Sequence, residues 1–154
     1  MASASTAPAT DETAAGLDAW RSYVGGHARL FRELDAEMQA AENTSLGDYD
    51  VLVQLADSAA RRMRMCELAE SVILSPSGLS RRVERLERRG LVRRERSTQD
   101  ARSVDASITP EGRRLFRRLR RLHRDGIRRH FSSQFSAEEL ETLGPLLTRL
   151  AAGK

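Results

Sequence analysis

Ser75-Pro76-Ser77-Gly78-Leu79-Ser80-Arg81-Arg82-Val83-Glu84-Arg85-Leu86-Glu87-Arg88-Arg89-Gly90 is the stretch that decides the fold. Ser75 is a favourable N-cap, because its hydroxyl can accept from the free N–H groups of a first helical turn. Pro76 falls at the first helical position, where a missing N–H costs nothing. Leu79, Val83 and Leu86 recur at helical spacing and predict one buried stripe. Gly90 lies just past the last turn, where a left-handed residue ends a helix. The opposite face offers Ser77, Ser80, Arg81 and Arg85. Short hydroxylic and cationic side chains on one helix face suit a DNA major groove, where they can reach base edges and phosphates.

Working outward, Cys66 to Ile73 predicts a preceding helix with Leu68, Ala69 and Val72 apolar. The gap before Ser75 is so short that the two helices must cross steeply, as in a helix-turn-helix. After Gly90, residues Leu91–Arg96 and Ser103–Ile108 flank a polar tip, Ser97 to Arg102. Val104, Ala106 and Ile108 alternate at period two, as a half-buried strand does. The pair predicts a hairpin, a wing beside the helices. Arg102 near its tip is a cation suited to the negative potential of a narrow minor groove, and Asp100 is placed to hold it there.

The run ELAESVILSPSGLSRRVERLERRGLVRRE (residues 67–95), followed by DAR (100–102) and ITPEGRRLF (108–116), resembles the MarR family of winged helix-turn-helix regulators. The resemblance extends from about Leu46 to Leu150. It implies a mostly α fold with a small β-hairpin wing, in which N- and C-terminal helices pair two copies of the chain. It also implies a sequence-specific regulator of transcription, acting as a ligand-responsive repressor on a pseudo-palindromic operator in double-stranded DNA. The expected DNA contacts are Ser75, Ser77, Gly78, Ser80, Arg81, Arg85, Arg96, Asp100 and Arg102. One departure is visible: the family's wing commonly reads Asp-Arg-Arg, and here it reads Asp100-Ala101-Arg102. Members of the family bind small, often aromatic or anionic effectors. In those that respond to urate, an Asp and two Arg match Asp50, Arg82 and Arg94. Trp20 and Tyr23 complete the expected effector set, although those relatives carry their tryptophan on an additional N-terminal helix.

A chain of 154 residues predicts one domain, able to bury roughly 68–70% of its unfolded surface without staples. Residues 1–10 are Ala/Ser/Thr/Pro-rich and are expected to form a disordered tail, with a single domain over 11–154. Within it, 46–109 would be the DNA-binding part, and 11–44 with 110–154 the dimerisation helices. One cysteine excludes an intrachain disulfide, and neither a secretory signal nor a membrane-length apolar run is present, so a cytoplasmic protein is expected. The net charge of +4 hides segregation: residues 1–60 carry −7, residues 61–102 carry +6 and residues 113–129 carry +8. All but one of the 26 cations are Arg, a planar fork that matches phosphate and guanine, or a reflection of genome base composition.

The remaining elements follow from periodicity and caps. Leu17, Trp20, Val24, His27, Phe31, Leu34 and Met38 predict a long first helix, Asp11 to about Ala41, with a heptad-like seam that asks for a second subunit. Ser45 caps a second helix, with Asp48 as a weak capping-box partner. Residues 58–63 predict a loop with room for one short strand against the wing. Thr109-Pro110-Glu111 opens a fifth helix, to about Phe131, whose stripe is Leu115, Leu119, Leu122 and Ile127. Its arginine run either extends the phosphate footprint or, the preferred reading, faces the acids of helix 1 and ties the dimer together. Ser136 to Glu139 opens a sixth helix, to about Ala151.

Other chemistry is poorly supported. Cys66 beside Arg64 could be an activated thiol, but a small, partly buried residue explains it as well. His27, His123 and His130 show no metal-ligand spacing. No nucleophile–base set, paired carboxylates or phosphate-binding glycine loop is present, so neither an enzyme nor a cofactor protein is expected. An architectural DNA binder, or a thiol- or metal-responsive sensor, are the alternatives.

Overall fold

The computed structural model describes the backbone of residues 9–72, 76–97 and 103–153, with side chains from residue 14 onward except at 76 and 77. The expected tail over residues 1–10 falls largely outside these, as do Ser75, Asp100, Arg102 and the side chain of Ser77. The element order is α1 (Ala9–Glu42), α2 (Leu46–Asp57), β1 (Arg62–Arg64), α3 (Met65–Ser71), α4 (Pro76–Arg88), β2 (Val92–Arg96), β3 (Val104–Ile108), α5 (Pro110–His130), a single 3-10 turn (Ser132–Gln134) and α6 (Ala137–Ala152). The fold is mostly α with one small antiparallel sheet, ordered β1-β3-β2.

Local chemistry sets the boundaries. The Ser45 hydroxyl accepts from the Asp48 N–H at 3.0 Å and starts α2. The Thr109 hydroxyl accepts from the Gly112 N–H at 3.0 Å and donates to the Gly90 carbonyl at 2.7 Å, so one side chain starts α5 and holds the end of α4. Ser136 and Glu139 form a reciprocal capping box on α6. Gly90 has φ +71, and Leu91 N–H donates to the Leu86 carbonyl at 2.9 Å, closing α4 with a left-handed residue. Helix α3 stops at Ser71, short of the predicted Ile73, because Val72 is already extended.

The core gathers where α2, α3, α4, the sheet and α5 meet. Met38, Val51, Leu52, Leu55, Leu68, Val83, Leu86 and Leu119 are all but fully buried there. The predicted α4 stripe of Leu79, Val83 and Leu86 lies wholly inside it. In α5 the buried hydrophobic residues are Leu115, Phe116 and Leu119, while Leu122 of the predicted stripe is half-buried and Ile127 is exposed.

The sheet departs from simple alternation. Val104 is 40% exposed and Asp105 only 7%. The reason is β1: it pairs with β3 on the side away from β2, so Asp105 lies between Arg64 and Glu95 in register. Arg62 reaches over it, 3.9 Å from the Asp105 carboxylate. Long cationic side chains thus cover a carboxylate that the hairpin alone would leave in water.

Helices α1 and α5 are joined by charge. Glu37 accepts from Arg129 at 2.6 Å and contacts His130 at 2.8 Å. Glu42 accepts from Arg118 at 2.7 Å and 3.1 Å. Two arginines of the run, Arg118 and Arg129, thus bond to acids of α1, while Arg114, Arg124 and Arg128 pair with acids of α5 itself, and all of these bonds lie within one chain. The N-terminal half of α1 and all of α6 are different: α6 buries none of its residues, and Leu17, Trp20, Val24, Leu146 and Leu150 are exposed.

Two outcomes follow for stability. A Cβ at Gly112 would collide with the Leu91 carbonyl oxygen and lie 2.8 Å from Ile108 Cγ1. Gly112→Ala is expected to cost about 1–3 kcal/mol or more, read as a lower denaturation midpoint at unchanged slope. The hydrogen bond from His130, with Arg129 beside it, holds the Glu37 carboxyl below the usual carboxylate range against the opposing effect of burial. A depressed carboxylate contributes stability above its unfolded value and loses it as pH falls through the folded one. Glu37→Gln should therefore flatten the acid limb of the stability–pH curve and leave its alkaline limb unchanged.

Candidate nucleic-acid interface

Helix α4 buries one face and offers another. Once Leu79, Val83 and Leu86 are in the core, Ser80, Arg81, Glu84 and Arg88 are left on the exposed side. Gly78 is half-buried; a side chain there would meet Arg82 Nε at 3.5 Å. Arg81, and Arg96 on β2, are exposed and make no hydrogen bond or ion pair among the described residues. Ser80, Arg94 and Ser103 line a shallow groove together with Met65, Cys66 and Val104. The groove is bounded by α3, α4 and the wing, so the geometry offers hydroxyls and cations on one continuous surface.

Arg85 is placed differently from the sequence expectation. It was assigned to the groove-reading face, but its guanidinium turns back onto α2. Arg85 Nε donates to Asp48 at 3.1 Å, and Nη2 makes a second, shorter bond to the same carboxylate. Asp48 is 2% exposed, so this forked pair compensates a buried charge. Asp48 is correspondingly not the capping-box partner of Ser45. The two residues are 37 positions apart, and no local pattern links them.

Arg89 was missed altogether. It donates to the Asn43 carbonyl at 3.0 Å, the Glu42 carbonyl at 3.3 Å and Thr44 Oγ1 at 3.1 Å. Carbonyls at a helix end lack intrahelical partners; here the residue just past α4 satisfies those at the end of α1. Arg94 is likewise occupied, by Glu87 of α4 at 2.8 Å and 2.6 Å. That hydrogen bond holds the Glu87 carboxyl below its usual range and fixes β2 on α4.

The residues expected to share an effector cavity are not brought together. Trp20 is 60% exposed, and its ring lies tilted against that of Tyr23, with centroids 6.1 Å apart. Asp50 lies in a cleft between α1, α2 and α5. Arg82 lines an adjoining depression with Arg32, Asp35 and Ser45, which shares Phe31 and Leu46 with that cleft, and Arg94 belongs to the wing groove. Sequence reasoning missed the residues that do make the cleft around Asp50, among them Phe31, Tyr49 and His123. Tyr49 and His123 rings lie 5.0 Å apart; their aromatic types in two separate helices were the available signal. Cys66, expected to be partly buried, is exposed. Among the described residues no cluster of three or more His, Cys, Asp or Glu could hold a metal, and no helix is long and apolar enough to cross a membrane.

This arrangement has known counterparts. The MarR family model matches residues 45–104. The HTH-type transcriptional repressor MdtR of Bacillus subtilis is 26% identical over 123 residues, 79% of each chain. Among solved structures, Sco3205 of Streptomyces coelicolor, a MarR family transcriptional regulator crystallised in complex with DNA, is 33% identical. That match covers 99% of this chain and 92% of the other, with a TM-score of 0.80. AbsC, also from Streptomyces coelicolor, is 31% identical over 97% of both chains, with a TM-score of 0.79. The chain belongs to the MarR family of transcriptional regulators, DNA-binding proteins of the winged helix-turn-helix class.

The forked pair has a testable weight. Arg85→Ala leaves the Asp48 carboxylate buried without its partner and should cost about 1–3 kcal/mol, the lower part of the range because Arg85 is half exposed. Adding Asp48→Asn should recover part of that loss, measured as a double-mutant cycle in chemical denaturation.

Proposed function

We propose that this chain is a ligand-responsive repressor that binds a pseudo-palindromic duplex as a homodimer. One observation carries the reading. Ser80 and Arg81 face solvent on a helix whose other side is locked into the core, while the N-terminal half of α1 and all of α6 bury none of their described residues. A single reading helix specifies few base pairs. Two, set by a two-fold axis about 34–36 Å apart, specify two half-sites one DNA turn apart. The exposed apolar residues of α1 and α6 support a second copy as the source of that axis, since large unpaired apolar faces mark association surfaces.

In this reading Ser80 and Arg81 approach base edges in the major groove. Gly78 lets the backbone approach, and Arg96 meets a phosphate. Arg85 acts from behind by orienting the helix. The sequence adds Ser75 and Ser77 at the helix start, and Arg102, positioned by Asp100, at the minor groove. The cleft around Asp50 touches α1, α2 and α5, the helices that set the two reading heads apart. A ligand there would favour one head separation over another, and DNA release follows if only one separation fits. The MdtR name, a repressor, supports the sign of regulation.

The test is a titration of the chain against the intergenic DNA beside its own gene, at fixed salt, with random duplex as reference. Arg81→Ala should weaken specific binding by about 1–3 kcal/mol. Leu150→Glu should shift the sedimenting species from dimer toward monomer and weaken binding with it. A monomeric wild-type chain, or equal affinity for random DNA, overturns the proposal.

A further inference from the structure

Six arginines of α5 form a row that the packing leaves facing outward. Arg113, Arg117, Arg120, Arg121, Arg124 and Arg128 recur at three- and four-residue spacing, which sets them along one side of the helix. The opposite side carries the buried Leu115 and Leu119, and Arg118 and Arg129 turn to the acids of α1. Five of the six are exposed, and Arg113 is half-buried. The side chains of Arg113, Arg117, Arg120 and Arg121 make no hydrogen bond or ion pair among the described residues. Arg124 and Arg128 share Asp125 at 3.7 Å and 3.8 Å, and each side chain is still 76% exposed.

Such a row is costly to hold. Arg113, Arg117 and Arg121, and likewise Arg120, Arg124 and Arg128, stand one turn apart, and like charges at that spacing destabilise a helix. On α4 the arginines are interspersed with Glu84 and Glu87; between residues 113 and 128 Asp125 is the single acid. An anionic partner would relieve the repulsion. The α1 helix of a second copy has few acids to give, because Asp18, Asp35, Glu37 and Glu42 are already bonded within their own chain. A protein partner of another kind draws on an apolar centre, and this row has only Ile127 at its margin. The backbone of DNA needs no apolar contact. Each strand offers one phosphate per ~3.4 Å of duplex axis. At ~1.5 Å per residue the row spans about 22 Å, the length of about six phosphates. Guanidinium forks match phosphate oxygens.

We infer that this side of α5 is a second phosphate-binding surface, which takes the backbone of duplex DNA outside the grooves that α4 and the wing would enter. It begins one turn past Thr109, whose hydroxyl donates to the Gly90 carbonyl at the end of α4, so the two surfaces belong to one packed unit. A surface of this kind is indifferent to base sequence. It works whether or not the chain is a repressor, and random duplex is therefore the probe.

Affinity of the full chain for a long random-sequence duplex is measured against salt concentration. Arg113→Gln, Arg117→Gln, Arg120→Gln and Arg121→Gln, combined in one chain, replace exposed cations by a good helix former. They should reduce the magnitude of the log–log slope by about two to four, near ~0.9 per lost contact. Arg117→Gln alone should remove about 0.9. The corresponding fourfold Arg→Lys chain should keep the slope of the wild type. Arg114→Gln, whose guanidinium is paired with Glu111, should leave it unchanged. An unchanged slope in the folded fourfold Gln chain overturns the assignment. So does a fourfold Gln chain that sediments as a smaller species than the wild type, which would place the row between subunits. Polyglutamate bound as tightly as the duplex, and lost in the same variant, overturns it in favour of an acidic protein.

Discussion

The bond between Arg85 and the buried Asp48 is the constraint on which the rest of the molecule depends. A carboxylate taken out of water is tolerated only with a well-placed partner, and the geometry of a planar fork on two oxygens admits little freedom. Satisfying Asp48 therefore fixes the rotation of α4 about its own axis against α2. Arg89, one turn further on, closes the carbonyl end of α1 and fixes the tilt of the same helix. Arg94 on Glu87 then seats the wing on α4. What faces outward, Ser80 and Arg81, does so because three neighbouring guanidiniums are employed facing inward.

How much of this was legible depended on sequence distance. Helix boundaries were readable because caps are local: Ser45, Thr109, Ser136 and Gly90 act on groups within a few residues, and all four behave as their types predict. The core stripe of α4 was readable because periodicity is local too. The partners of the arginines were not. Arg85, Arg89 and Arg94 share a short segment with Arg81, and nothing in that segment says which ones find carboxylates or carbonyls elsewhere in the chain. Arg85, grouped by the sequence with Arg81, is therefore found bonded to Asp48 instead of standing free beside it. The short strand for which residues 58–63 left room is β1, paired with β3; what the period-two pattern could not show is that this third strand covers Asp105.

The effector residues show the limit of transferring positions by resemblance. Asp50, Arg82 and Arg94 stand in register with a family pattern, yet each occupies a different depression in this chain. A cleft is made by whichever side chains the helix packing leaves unopposed. Here Phe31, Tyr49 and His123 do most of that, and none of them was singled out for it. That no arginine is among the described residues lining this cleft, while Arg32 and Arg82 line the depression beside it, appears only when the helices are assembled.

The intrachain pairing of the arginines also shapes how the protein would respond to ionic strength. Displacing condensed counterions from a duplex requires guanidiniums that are free to meet phosphate. Arg62, Arg64, Arg85, Arg94, Arg114, Arg118 and Arg129 already hold carboxylates. A chain whose composition suggests indiscriminate adhesion to polyanions thus keeps much of its positive charge in internal use. Its grip on nucleic acid would be less salt-sensitive than 25 arginines imply, with a larger share of the discrimination left to shape and base edges.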